Sequence, residues 1–235
     1  MSGPALAQKR PLLLAALAAA LAYFYLRAGP WPELWLIPLK GAATALLGLF
    51  VWLQHKSPDA RLLAWALGAA ALGDMAMEAD RTIGALLFFA HHVLALGLYL
   101  RNRRAALPLA HKAMAAALLL LTPLIAWFMP ADRAVAPNLA LYALALGAMA
   151  AGAWGSVFPR LQVGAGAVLL VFADVLLFAE TGPLMGSDLP HVFSWPLYFL
   201  GQFLIVTGVV QSLWKREPEL RIVDRKDNPR ERTRP

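Results

Sequence analysis

The groups in this chain that could do acid–base chemistry are few, and they sit in apolar surroundings. They are Lys40, Asp74, Glu78, His91, His92, Asp174, Glu180 and Gln202, set in stretches such as "ALGDMAMEAD", "FFAHH" and "VFADVLLF". An ionisable side chain inside an apolar segment is costly, tends to face a bundle interior or a cavity, and is by default a functional candidate. Asp74 and Glu78 are one helical turn apart and share a face. His91 and His92 point about 100° apart around a helix, so one of them packs or meets an interface while the other can face a hollow. Two carboxyls with a lysine and an imidazole are the parts of a general acid/base site: a carboxyl held out of water keeps its proton, and a second stays ionised beside a basic neighbour. Lys40, with apolar residues on both sides, reads as a counter-ion to Asp74 or Asp174 more economically than as a snorkelling surface lysine. Two histidines near carboxylates can also bind a metal, but no HExxH-type spacing is present, and no metal or other cofactor is expected.

These groups need elements to hold them, and the composition says of what kind. The 235 residues are 60% hydrophobic and 15% charged, with a mean hydropathy of +0.60, which is far from the balance of a soluble domain. The chain reads as a membrane protein. It contains no cysteine, which excludes disulfides and cysteine-ligated metals. The net charge of +7 is concentrated in short loops and after Trp214, where membrane topology and anionic lipid explain it better than nucleic acid does.

A spanning helix needs about 20 mostly apolar residues. Eight segments meet or approach that: Pro11 to Leu26, Leu34 to Leu53, Leu62 to Met77, Thr82 to Leu100, Lys112 to Met129, Pro137 to Val157, Leu161 to Ala179 and His191 to Trp214. The expectation is an all-α polytopic bundle of eight transmembrane helices over 1–214, followed by a charged tail over 215–235. The first segment reads as a span and not as a cleaved leader, because no clean small-x-small site precedes a polar mature start. Seventeen Lys and Arg residues fall on one side of such a bundle, and only Arg27, Arg81 and Arg133 on the other. The positive-inside rule therefore places both termini in the cytoplasm of a multi-pass cell-membrane protein. Gly147, Ala151 and Gly155, with Gly164 and Gly166 in the next span, permit close helix contact.

Asp74 and Asp174 stand equally far into the third and seventh spans, and "FFAHH" and "YFLGQ" follow in the fourth and eighth. This echo suggests two four-helix halves of like orientation, a parallel repeat. Counted at about 1.5 Å per residue from the non-cytoplasmic helix ends, Asp74 is about 6 Å deep, Lys40 and Asp174 about 9 Å, and His92 and Gln202 about 15 Å. Different helices thus bring polar groups to the outer half of the bilayer, as walls of one pocket would. Glu78 and Glu180 lie nearer the helix ends, among headgroups and water, with Glu78 placed to line the pocket mouth.

The motifs also occur in a particular order. A lysine in the second span (Lys40) is followed by Gly73-Asp74 in the third and by a G-x-x-x-F-x-x-x-H run (Gly84, Phe88, His92) in the fourth. A G…D run (Gly166, Asp174) then precedes "YFLGQFLIVTG", with Tyr198, Gln202 and Gly208 in the last span. Together these resemble the YhhN-type lysoplasmalogenase family, multi-spanning enzymes that cleave the vinyl ether of lysoplasmalogens. The chain departs from the family pattern at Gly41, Ala95 and Ala173. The resemblance selects His92 over His91 as the inward histidine. It also implies a lysophospholipid substrate met among membrane lipids, with no cofactor.

A vinyl ether is stable to base and labile to acid, so its hydrolysis needs a positioned proton donor and a group that stabilises an oxocarbenium ion, as in glycosidases. On this reading Asp74 and Asp174 are the acid/base pair, and the sequence does not assign the acid to one over the other. Lys40 holds one of them ionised or meets phosphate. His92 and Gln202 orient water and the leaving oxygen, while Glu78, Phe88 and Tyr198 join Gln202 around the substrate. A proton-coupled or lipid transporter and a non-catalytic lipid-binding protein are the competing classes. Against a transporter, the charges gather in one half of the membrane and paired helix breaks at midspan are missing.

Overall fold

A computed structural model describes the backbone of residues 10–226 and the side chains of residues 10–216. The described chain is all-α: α1 Arg10–Leu26, α2 Glu33–Gln54, α3 Pro58–Ala79, α4 Arg81–Arg101, α5 Leu109–Phe128, α6 Ala136–Gly155, α7 Ala165–Ala179 and α8 Leu189–Lys226. A π-helical turn, Arg160–Gly164, leads into α7. Seven of these helices are long and apolar enough to cross a membrane, α7 counted with its π turn, while α1 is a shorter apolar helix of 17 residues. Side chains on the outside are those that lipid tolerates and water does not, among them Leu14, Trp65, Phe128, Leu161 and Phe172. The chain is a multi-pass membrane bundle. Helical backbone continues past Trp214 to Lys226, into the first part of the charged segment. The remainder of the expected tail, residues 227–235, lies outside the described residues.

Local sequence explains where the helices begin. Ser57 caps α3 by accepting from the Ala60 amide at 3.2 Å, and Pro58 supplies a pre-formed first turn. Asp80 closes α3 and opens α4 at once, its carboxylate accepting from the amides of Thr82 at 2.7 Å and Ile83 at 3.1 Å. This tight corner keeps the ends of α3 and α4 together at the side where the polar groups gather.

Lipid tails give helices no hydrophobic reason to associate, so close backbone packing must hold them. A Cβ added at Gly166 would lie 2.7 Å from the Gly201 carbonyl oxygen, and one at Gly201 would lie 2.7 Å from the carbonyl of Gly166. The pair brings α7 and α8 into backbone contact. Gly147 does the same for α6 and α5, where an added Cβ would meet the Leu118 carbonyl at 2.6 Å. Gly155, from the same small-residue spacing, has only an ordinary contact with Leu107 at 3.5 Å. Neighbours in sequence pack in antiparallel pairs, and the halves are joined where α4 meets α6 and α8 meets α2. The fourth helix of each half thus lies on the second helix of the other.

Candidate active site

Asp74 and Asp174 each stand five residues before their helices end, at Ala79 on α3 and Ala179 on α7. Both line one cavity of about 570 Å³. Its polar lining includes Lys40 from α2, Tyr142 from α6 and Tyr198 from α8; Phe88, Leu139, Leu177 and Phe178 supply an apolar wall. Arg27, Arg81, Glu78 and Glu180 also line it, and they lie at the ends of α1, α4, α3 and α7 away from the termini. The cavity therefore opens toward that end of the bundle.

The two aspartates have separate partners. At Asp74, 2% exposed, Thr44 Oγ1 donates to Oδ2 at 2.7 Å and Tyr198 OH donates to the same oxygen at 3.0 Å. Both donors are neutral hydroxyls, and among the described residues Oδ1 has no hydrogen-bond partner. At Asp174, Tyr142 OH donates to Oδ2 at 3.0 Å. His92 Nε2 lies 3.0 Å from the Tyr142 oxygen and 3.6 Å from Asp174 Oδ2. With the tyrosine proton directed at the carboxylate, the imidazole N–H donates to the tyrosine oxygen, and a relay runs His92 to Tyr142 to Asp174. The arrangement repeats across the halves. Each aspartate accepts from the second helix of its own half, through Thr44 or Tyr142, and has a partner on the fourth helix of the other, Tyr198 or His92.

Several expectations from the sequence need correction. Lys40 pairs with neither aspartate: its Nζ donates to Glu78 Oε1 at 2.8 Å, forming an ion pair at the cavity mouth. It also lies over the Tyr23 ring at 5.7 Å. The reason lies in α3, where Glu78 is one turn nearer the mouth than Asp74 and can meet a long lysine side chain that reaches outward. Gln202 is absent from the cavity wall. It is fully buried and its Nε2 meets His91 Nε2 at 3.0 Å, while His91 Nδ1 lies 2.9 Å from the Ala66 carbonyl oxygen. His91 is accordingly a packed residue, held between α3 and α8, and its ring contacts that of His92 edge-on at 5.1 Å. Gln202 thus meets His91 and is not among the residues that line the cavity. Phe88 and Tyr198 do line the cavity and meet edge-on at 5.8 Å. The Phe88 ring also fills the space beside Gly73, 3.1 Å from where a Cβ would stand.

Sequence reasoning missed Thr44 and Tyr142. A signal for each existed. Thr44 follows Lys40 by one helical turn and is buried behind the cavity wall against Asp74, and Tyr142 follows Asn138 by one turn in the cavity lining, each a polar group in an otherwise apolar span. Glu180, expected near headgroups, is exposed and lines the mouth. Among the described residues no three His, Asp or Glu side chains gather as a metal would require.

The fold and the cavity define a polytopic membrane protein with two carboxyls, one buried and one half-buried, facing one hollow. The chain belongs to the YhhN family, whose family model matches residues 35–209. That match begins within α2 and ends within α8, so it contains Asp74, Asp174, Tyr142, Tyr198, His91 and His92. Neither the curated proteins nor the solved structures provide a match.

Proposed function

We propose that this chain is an eight-span hydrolase of the cell membrane, with both termini cytoplasmic, that cleaves the vinyl ether of lysoplasmalogens to a fatty aldehyde and a glycerophospho-alcohol. The observation that carries the reading is that Asp74 and Asp174, from separate helices, line one cavity whose remaining wall is largely apolar. The α4–α6 and α8–α2 contacts and the matched partners of the two aspartates support a parallel four-helix repeat. In such a repeat the site lies where the halves meet.

The proposed chemistry assigns the proton donor to Asp74, whose contacts are neutral hydroxyls alone, and the ionised role to Asp174, which has the His92 imidazole beside it. Asp74 protonates the β-carbon of the vinyl ether: the double-bond electrons form the new C–H bond and an oxygen lone pair completes the oxocarbenium. The Asp174 carboxylate stabilises that cation and takes a proton from the water that adds to the α-carbon. The hemiacetal then collapses: the Asp74 carboxylate takes the hydroxyl proton as the carbonyl forms, and Asp174 returns its proton to the departing glycerol oxygen, so that aldehyde and alcohol leave and both carboxyls are restored. Tyr142 and Tyr198 hold the two carboxyls in register, Phe88 flanks the chain, and the Lys40–Glu78 pair shapes the mouth. Gln202 acts at one remove, through His91.

The test is aldehyde release from a lysoplasmalogen by purified protein in detergent. Asp74→Asn and Asp174→Asn should each lower turnover by at least about a hundredfold, the usual scale for a general acid or base, while both variants elute and melt as folded protein. Wild-type turnover in either variant removes that aspartate from the mechanism. A transporter would release no aldehyde from detergent-solubilised substrate, and a binder would only retain it.

A further inference from the structure

We propose that Arg27 and Arg81 clamp the phosphate of a single-chain phospholipid headgroup at the cavity mouth, an inference that rests on the lipid-hydrolase reading above. Lys40 also lines the cavity, but its charge is already met by Glu78 at 2.8 Å. The phosphate must therefore find other partners. Two arginines line the same cavity, Arg27 just beyond the end of α1 and Arg81 at the first residue of α4.

Arg27 is held ready. Its guanidinium donates to the His191 carbonyl oxygen and lies 4.8 Å from the centre of the Phe24 ring. Neither contact neutralises its charge. Among the described residues Arg81 has no hydrogen bond or ion pair. It heads a face of α4 that continues through Ala85 and Phe88 along the cavity wall. The adjacent Asp80 carboxylate is engaged by the Thr82 and Ile83 amides. A guanidinium offers parallel N–H donors that match two phosphate oxygens, which a lysine ammonium does not.

A second observation points to a polar ligand in the same place. Ser194 lines the cavity, is 7% exposed, and its Oγ has no hydrogen-bond partner. It lies one turn along α8 from His191, the residue that anchors Arg27. A buried hydroxyl left without a partner is costly, and a glycerol or phosphate oxygen beneath Arg27 would satisfy it. Glu180 is the one carboxylate at the mouth that is engaged by neither an ion pair nor a cap among the described residues. Two unpaired cations with one unpaired anion suit a head that carries phosphate and ammonium together.

The experiment uses the full chain in detergent and two ligands that cannot be cleaved, a saturated alkyl lysophosphoethanolamine and the matching alkylglycerol without phosphate, with binding read by calorimetry. Wild-type protein should prefer the phosphorylated ligand by about tenfold or more, the scale of a charge-assisted hydrogen bond lost. In Arg81→Gln and in Arg27→Gln that preference should fall toward one, with Arg81→Lys recovering part of it. Full preference in Arg81→Gln, or equal loss of both ligands, overturns the proposal; because Arg27 packs on Phe24, Arg81 carries the decision if Arg27→Gln does not fold. Inorganic phosphate should fail to displace the lipid at matched concentration. Displacement would assign the pair to free phosphate and overturn the headgroup assignment. Since neither ligand is a vinyl ether, a wild-type protein that releases no aldehyde would refute the hydrolase while leaving the clamp to be judged on binding.

Discussion

Replacing Tyr142 with Phe tests the site more sharply than removing a carboxylate, because it takes away one oxygen and leaves the ring that packs on Phe178 at 5.8 Å. Among the described residues Tyr142 OH is the one hydrogen-bond donor to Asp174, at 3.0 Å, with His92 Nε2 farther off at 3.6 Å. A hydrogen bond to a charged group contributes about 1.5–3 kcal/mol, and about 1.4 kcal/mol is a factor of ten in rate. If the bond is made fully in the transition state, kcat should fall by about tenfold to a hundredfold. His92 can close part of the gap to Asp174 once the tyrosine oxygen is gone, which favours the lower end. Tyr198→Phe is the matched control. Asp74 there keeps Thr44 Oγ1 at 2.7 Å, so the same deletion should cost kcat only about threefold to tenfold. The assay is aldehyde release with kcat and KM separated, beside thermal unfolding in the same detergent. If Tyr142→Phe turns over within twofold of wild type, or if Tyr198→Phe is the more damaging, the division of partners between the aspartates does not govern the chemistry and the argument fails.

The Lys40–Glu78 pair predicts an asymmetry. The Lys40 side chain is 17% exposed and that of Glu78 39%, so an unpaired Glu78 can reach water while an unpaired Lys40 cannot. Glu78→Gln should therefore destabilise the fold more than Lys40→Met, by about 1–3 kcal/mol against less than about 1 kcal/mol, read by thermal unfolding in detergent. The double variant should recover most of the loss; equal or reversed single effects would show that the pair is not what holds this corner. The proposed orientation can be read with single cysteines, since the native chain has none. On intact cells a membrane-impermeant maleimide should label Ala131→Cys, between α5 and α6, and spare Ala105→Cys, between α4 and α5. The opposite pattern would invert the topology.

Some of this protein is written in its sequence, for a definite reason. Lipid imposes an apolar run of fixed length on each span, so hydropathy alone finds the helices, and the observed ends fall within a few residues of the expected ones for α1 to α7. α8, carried on through charged residues to Lys226, runs twelve residues past its expected end at Trp214. The cost of a charge in lipid likewise singles out Asp74, Asp174 and Lys40, and helix rise gives their depth. The order of the motifs was enough to suggest the YhhN family, to which the chain belongs. What sequence does not contain is which helix stands beside which and how each is turned about its axis, because those follow from packing between distant segments. Glycines at 166 and 201 draw α7 onto α8, and the halves meet through α2–α8 and α4–α6. These contacts turn Lys40 to Glu78, Gln202 to His91, and the unremarked Thr44 and Tyr142 to the aspartates. One residue of rotation is about 100°, so a polar group at the right depth still has several possible neighbours, and only the assembled bundle chooses among them.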